Sequence, residues 1–237
     1  MKLLDELISS LSDKDEVVRD VRVGVTWSGV LSRNLGLAKT EQTAHVSGVK
    51  DVGKLIGKSA LELAEYSKSW NLLEAGIGIA ALNSLMEPEG NTLNVLDFII
   101  EKGRGKKIAM VGHFPRTDEI RESAQDLWII EKMPKLGDFP DTAAEHLIPL
   151  ADIVAITGAT LINKSLQRLL ELSRGYTIVF GPSVPMSPVL FNWGVDMIGG
   201  SKVVDTENAL LKISQGINNV PQLKKELQFL TMTKVSD

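Results

Sequence analysis

Short apolar runs in the second half of the chain constrain its fold more than any other feature of the sequence. They cover residues 107–112, 127–131, 153–157 and 177–181, and a fifth strand signal follows at 197–199. The first four are nearly continuous rather than alternating, as expected for strands that helices cover on both faces. Helical patterns separate them. Residues 161–173 carry leucines at helical spacing and stop before Gly175, and Thr142-Ala-Ala-Glu145 has the spacing of a capping box. Strands alternating with helices imply a parallel sheet, so residues 104–237 read as a Rossmann-like α/β domain.

The order is different before the polar segment Lys102-Gly-Arg-Gly105. Leu3, Leu4, Leu7, Ile8 and Leu11 fit one face of a helix. Residues 21–27 read as a strand, Ser32-Arg33-Asn34 as a turn, and 35–40 as the returning strand of a hairpin. Helical patterns then cover 55–64, 70–85 and 93–101, with Pro88, Gly90 and Asn91 as punctuation. Residues 1–103 therefore read as a small α+β domain, and 237 residues suit two such units.

Composition excludes several functions. The chain has no cysteine, which removes disulfides, thiolate catalysis and Cys-based zinc or iron–sulfur sites. The formal net charge is −4 and no basic cluster stands out, which argues against a nucleic-acid partner. His45, His113 and His146 are scattered without metal-ligand spacing. No run approaches the roughly 18 apolar residues of a membrane span. Asp5 and Glu6 interrupt the first helix, unlike the apolar core of a signal peptide. The expectation is a cytoplasmic protein with no membrane partner. The sequence leaves the oligomeric state open, a homo-oligomer included.

In an open parallel sheet, ligands bind outside the carboxyl ends of the strands. That rule selects Gly112-His113-Phe114-Pro115, Thr157-Gly158-Ala159-Thr160, Gly181-Pro182-Ser183 and Gly199-Gly200-Ser201. Each carries a glycine, so backbone can approach a ligand closely, although βα loops carry such residues simply because they turn. His113 is the candidate proton-transfer group or metal ligand, since its ordinary pKa lies near working pH; loop backbone would satisfy it equally well. Thr160 or Asn163 either caps the helix that follows or leaves N–H groups free for a phosphate or carboxylate. The prolines after Gly181 make either a rigid wall against a ligand or a rigid connector. Asn83 lies in an apolar helical stretch and needs a partner in the core or in a cleft. Glu131 closes the second strand about where a dinucleotide fold keeps its ribose-binding acid, or is a solvated strand end. Gly112-His-Phe-Pro-Arg-Thr is not Gly-x-Gly-x-x-Gly, so classical NAD binding is disfavoured. Asp138, Asp141, Glu145 and His146 are close in sequence, and capping or a solvated helix face explains them more simply than a metal cage.

These segments in order resemble the putative heavy-metal chelation family, long catalogued as a domain of unknown function. The resemblance rests on Gly112-His-Phe-Pro115, Glu131 with Pro134, the run from Ala151 to Gly158, Thr160-Leu-Ile-Asn163, Gly181-Pro-Ser183 with Pro185, and Gly194-Val-Asp196 before Gly200-Ser201. In the first half, Val23-Gly-Val-Thr26 and Ala80-Ala-Leu-Asn83 also match. The resemblance implies a domain similar to the enolase N-terminal fold, a Rossmann-like domain after it, and a cleft between them. It implies handling or making of a metal-chelating small molecule. The site residues it implies are His113, Phe114, Pro115, Thr157, Gly158, Thr160, Asn163, Gly181, Pro182 and Ser183, with Asn83 from the first domain. The chain departs from the family pattern after Asn163, where Lys164 and Ser165 replace the usual Gly and Thr. Lys164 there adds positive charge beside an anionic ligand or points to solvent. The expected partner is thus a small anionic ligand. The cofactor is left open, a divalent metal or a metal-chelating small molecule included. Catalysis, non-catalytic binding of a metal complex, and a weaker nucleotide-dependent oxidoreductase reading all remain.

Overall fold

The structure is a computed structural model that describes residues 1–41 and 48–234. His45 lies outside the described residues. The first half is built on a three-stranded antiparallel sheet, in the order β1 (Asp20–Val23), β2 (Trp27–Leu31), β3 (Leu35–Lys39). The single strand expected over 21–27 is in fact two. The chain turns between them, with the Gly24 N–H donating to the Trp27 carbonyl at 2.9 Å. A Cβ on Gly24 would lie 2.5 Å from the Ile213 carbonyl oxygen, so the turn is seated against a helix from the other half. The hairpin around Ser32-Arg33-Asn34 forms as its sequence implies, pairing Leu31 with Leu35.

Helices flank this sheet. Helix α1 (Lys2–Ser9) buries Leu3, Leu4, Leu7 and Ile8 along one face. Helix α2 (Ala60–Ala64) is shorter than the pattern over 55–64 implied, because Ser59 caps it by accepting from the Glu62 N–H. Helix α3 (Leu72–Ser84), capped by Asn71, is buried nearly all round. Two glycine positions permit that. A Cβ on Gly78 would lie 1.9 Å from the Ser67 nitrogen, and one on Gly36 of β3 would lie 2.1 Å from the Ala80 carbonyl oxygen.

Helix α4 (Val95–Lys102) packs on the large sheet, with Val95 and Ile99 clustered among Ile108, Met110, Ile129 and Ile178. The large sheet has seven strands. In chain order they are β4 (Lys107–Val111), β5 (Asp126–Glu131), the short β6 (Phe139–Pro140), β7 (Ile153–Thr157), β8 (Tyr176–Phe180), β9 (Met197–Val203) and β10 (Leu227–Thr233). Their spatial order is β10-β9-β8-β7-β4-β5-β6. All neighbours pair in parallel except β10, which runs antiparallel to β9. The intervening helices are α5 (Thr117–Ser123), α6 (Ala144–Leu147), α7 (Ala159–Ile162), α8 (Leu166–Leu172), α9 (Val189–Asn192) and α10 (Thr206–Ser214). The chain is therefore mixed α/β, a mostly parallel sheet with a smaller antiparallel one beside it.

Two local expectations are corrected here. The helix expected over 161–173 is two helices, broken at Asn163-Lys164-Ser165, where Lys164 takes a left-handed φ of 66°. The Thr142–Glu145 capping box does not form. Residues 141–143 make a 3-10 turn, α6 has no side-chain cap, and Glu145 instead pairs with Arg168 at 2.7 Å. One core cluster joins the halves: Leu7, Ile79 and Leu82 from the first pack in the same group as Val154, Ile156, Leu161 and Leu190 from the second. The other face of the small sheet meets α10, where Trp27, Leu35 and Leu37 group with Ala209 and Ile213. Among the described residues, no helix is long and apolar enough to cross a membrane.

Candidate functional site at the carboxyl edge of the large sheet

The chain leaves β4 toward β5 and later returns to place β7 on the other side of β4. The carboxyl ends of β4 and β7 therefore flank a topological switch point, where such sheets open a crevice. Gly112 follows β4 there with a φ of 105°. A Cβ at this position would lie 3.0 Å from Cγ2 of Thr157, so glycine is required both by backbone conformation and by the approach of the neighbouring strand. Phe114 then folds over the edge and stacks on Phe180 at the end of β8, with ring centroids 4.0 Å apart and planes 16° apart. Pro115 is exposed.

His113 is fixed at both its backbone and its ring. Its backbone N–H donates to Oε1 of Glu131 at 2.9 Å, and its Nε2 lies 2.7 Å from Oδ2 of Asp138. The Lys135 N–H donates to the same Asp138 oxygen at 2.8 Å. The imidazole is 32% exposed, whereas the Asp138 side chain is only 4% exposed. Burial pushes the Asp138 carboxyl up, but the Lys135 N–H and the His113 ring outweigh it and hold the group below the usual carboxylate range. Asp138 is thus ionised at neutral pH beside the imidazole. Sequence reasoning had read Asp138 as a capping or solvated residue. It lies 25 positions from His113, and no fixed spacing announces the pair. Glu131 spends one oxygen on the His113 backbone and thereby ties the end of β5 to the loop after β4.

The remaining candidates are brought together differently. Gly158 donates its N–H to Phe180 O at 3.1 Å, and the Ala159 N–H reaches Oγ1 of Thr157 at 3.4 Å. The Thr160 hydroxyl turns back to the Thr157 carbonyl at 2.6 Å. Oδ1 of Asn163 accepts from the N–H and the hydroxyl of Ser165, at 3.1 and 2.6 Å. These groups satisfy local backbone at the ends of α7 and α8, so the Gly158 and Ala159 N–H groups at the start of α7 are already taken. Gly181 turns with a φ of 120° and donates to Gly199 O at 2.9 Å. Ser183 is buried; its hydroxyl accepts from the Lys39 N–H at 2.9 Å. Nδ2 of Asn83 donates to Leu37 O at 2.9 Å and to Ser183 O at 3.2 Å, while its buried Oδ1 has no partner among the described residues. Asn83 and Ser183 therefore join the two halves. The cleft beside them, lined by Leu37, Asn83, Met86, Pro182 and Lys202, has a cavity of about 20 Å³, room for about one water.

Lys164, the departure from the family pattern, neither sits beside His113 nor points to solvent. Its Nζ donates to the carbonyls of Ser69 and Ile162, the latter at 2.7 Å. The backbone at this position is left-handed, a conformation that glycine adopts without strain.

The donors at the edge do not fit a protein-built cage for a soft metal. The chain has no thiolate, and among the described residues no three His, Asp or Glu side chains converge as metal ligands would. The carboxylates of Glu131 and Asp138 are already committed to the loop that holds His113.

Comparison with known proteins places this architecture. The model of a family described as putative heavy-metal chelation matches residues 94–232, and a second model with the same description matches residues 4–86. An uncharacterized protein of Methanocaldococcus jannaschii is 28% identical over 231 residues, covering 89% of this chain and 88% of the relative. A crystal structure of a protein of unknown function from the DUF364 family of Desulfitobacterium hafniense superposes with a TM-score of 0.85 at 28% identity, covering 98% of each chain. A second protein of unknown function from that family, of Pyrococcus horikoshii, gives a TM-score of 0.81 at 21% identity, also over 98% of each chain, a likeness of fold. With 94–232 alone spanning more than half of its length, the chain belongs to the putative heavy-metal chelation family.

Proposed function

We propose that the protein handles a small, anionic, metal-chelating molecule at the carboxyl edge of the large sheet, with His113 as the group that exchanges a proton with it or holds it. The observation that carries this reading is the 2.7 Å pair between His113 Nε2 and Asp138. An ionised carboxylate on Nε2 favours the tautomer with its proton there, which leaves the Nδ1 lone pair as base or acceptor. Gly112, without a side chain, lets the chain turn tightly against Thr157 at the switch point and so presents His113 at the edge, the Gly112 N–H being donated to Ile130 O at 3.1 Å. Since the described residues offer no cage for a soft metal, the metal in this reading travels as part of the ligand, and the chain binds the organic chelator.

The test is native mass spectrometry of gently purified protein against its denatured mass, followed by His113→Ala. The expected result is an extra mass retained by the wild type and released by the variant, with the melting temperature little changed. If the retained molecule is then converted on incubation, loss of His113 should cost about 10²–10⁴ in rate, the usual contribution of general acid–base catalysis. Stoichiometric retention without conversion makes the protein a carrier that uses the same residues. Equal retention or equal turnover by His113→Ala removes His113 from the site.

A further inference from the structure

A second polar group in the molecule is left incomplete, far along the chain from His113. Lys164 ends α7 in a left-handed conformation, which costs a residue with a side chain on the order of 1 kcal/mol. Its ammonium donates to the carbonyls of Ile162 and Ser69, which uses two of three N–H groups. The third has no partner among the described residues, and no carboxylate there pairs with it. The charged groups on the surrounding elements are engaged with one another. Asp5 and Glu65 hold Lys68 at 2.6 and 2.7 Å, the amino group of Met1 lies 3.7 Å from Asp5, and Arg168 pairs with Glu145 and Glu171. Burial without a counter-charge lowers the Lys164 pKa to about 8.

Beside this ammonium runs a groove with a cavity of about 40 Å³, lined by Leu3, Leu4, Leu161 and Leu166 together with Thr160 and Gln167. The Thr160 hydroxyl donates to Thr157 O and Gln167 Nε2 donates to Glu171 Oε1, so the four leucines, with Met1, make up most of the wall. Trp70 lies over the same ammonium, its ring centroid 5.7 Å from Nζ, and is 76% exposed despite its size.

We propose that this place binds a short monocarboxylate. The carboxylate would take the third N–H of Lys164, near the Trp70 ring, and its alkyl part would lie on the leucines of the groove. A half-buried ammonium without an anion is costly, and an anion at that point completes it. The apolar wall selects against a second charge, which disfavours phosphate and dicarboxylates. The volume admits little more than the carboxylate and an adjoining carbon or two, with a longer chain running along the open groove. This site does not use His113, and His113→Ala should leave it unchanged.

The experiment is titration of the whole protein at pH 7 with acetate, butanoate and hexanoate, read by tryptophan fluorescence, with Trp70→Phe to isolate the Trp70 signal. Hexanamide serves as the uncharged comparator. The expected result is a saturable change that strengthens with chain length and is absent with hexanamide and in Trp70→Phe. Since the ligand recognises the ammonium, affinity should hold below the lysine pKa and fall about tenfold per pH unit above about 8. Lys164→Gly should fold well, because glycine suits the backbone there, and should lose the response at every pH. A folded wild type that shows no response overturns the proposal. So does an equal response to hexanamide, or an undiminished one in Lys164→Gly.

Discussion

Two stretches of one sheet edge meet different fates. After β4 and β5, the polar groups of His113, Glu131 and Asp138 bond to one another, and the imidazole stays partly open. After β7 and β8, those of Thr157, Thr160 and Ser183 are consumed by backbone, Ser183 by the first half of the chain itself. Each stretch contains a glycine with positive φ, Gly112 after β4 and Gly181 after β8. Topology brings all such loops to one edge. Docking of a neighbouring unit then decides which of them remain available to a ligand.

The sealed stretch should be mechanically intolerant and the open one forgiving. Gly158 has an ordinary helical backbone, so alanine meets no conformational penalty there. An added Cβ would nevertheless lie 2.5 Å from Val184 Cγ2, 2.9 Å from the Val184 nitrogen and 3.1 Å from the Ser183 carbonyl carbon. Backbone cannot swing aside as a side-chain tip can, so Gly158→Ala should cost about 3 kcal/mol, the upper end for overpacking. His113→Ala on the open stretch should cost less, about 1 kcal/mol, because the lost imidazole is partly exposed and Asp138 keeps the Lys135 N–H. Denaturant midpoints measured at equal slope would compare them. Equal losses would mean that the two stretches are packed alike, against the distinction drawn here.

Asn83 gives the next effect in size. Asn83→Ala removes the donor to Leu37 O and Ser183 O at the seam between the halves. Leaving buried acceptors unpaired costs about 1–3 kcal/mol, but the unpartnered Oδ1 disappears with the side chain, which places the expectation near 1 kcal/mol. Hydrogen exchange should localise the loosening to β3 and to the segment after β8. A loss confined to the loop after β4 would contradict that placement.

Much of this was legible beforehand. Five of the six parallel strands, β4, β5, β7, β8 and β9, start within a residue of the expected positions; the first four of them announce themselves because burial on both faces demands nearly continuous apolar runs, whereas the two-residue β6 carries no such run. Strand β10 does not announce itself either, because an edge strand with Gln228 and Phe229 exposed carries neither a continuous run nor strict alternation. The break inside 161–173 is hidden for a related reason. Leucines keep helical spacing across α7 and α8, while the left-handed residue between them is a lysine, which gives no turn signal. The candidate residues cluster at the carboxyl edge of the large sheet because strand ends are predictable from strands. Strand ends do not separate Thr160 and Ser183, which satisfy backbone, from His113, which holds a carboxylate. For His113 and Ser183 that distinction depends on contacts 25 and 144 residues away in sequence, with Asp138 and with Lys39.

The smallest effect on stability, and the most informative about chemistry, is expected from Asp138→Asn. The carboxyl sits below its unfolded value of about 3.9 because the Lys135 N–H and the His113 ring outweigh its burial. A group depressed in this way contributes stability that is present above the unfolded pKa and lost as pH falls through the folded one. The wild type should therefore lose stability below about pH 4 through this group, and Asp138→Asn should show a flatter acid limb starting from a slightly lower value at pH 7. The imidazole offers the sharper readout. An ionised Asp138 holds the proton on Nε2, whereas the amide presents either a donor or an acceptor to that nitrogen. Nitrogen-15 NMR should find the Nε2–H tautomer of His113 dominant in the wild type and mixed in Asp138→Asn. If the tautomer is the same in both, the loop rather than the charge of Asp138 orients the ring, and the open stretch owes its chemistry to backbone, as the sealed one does.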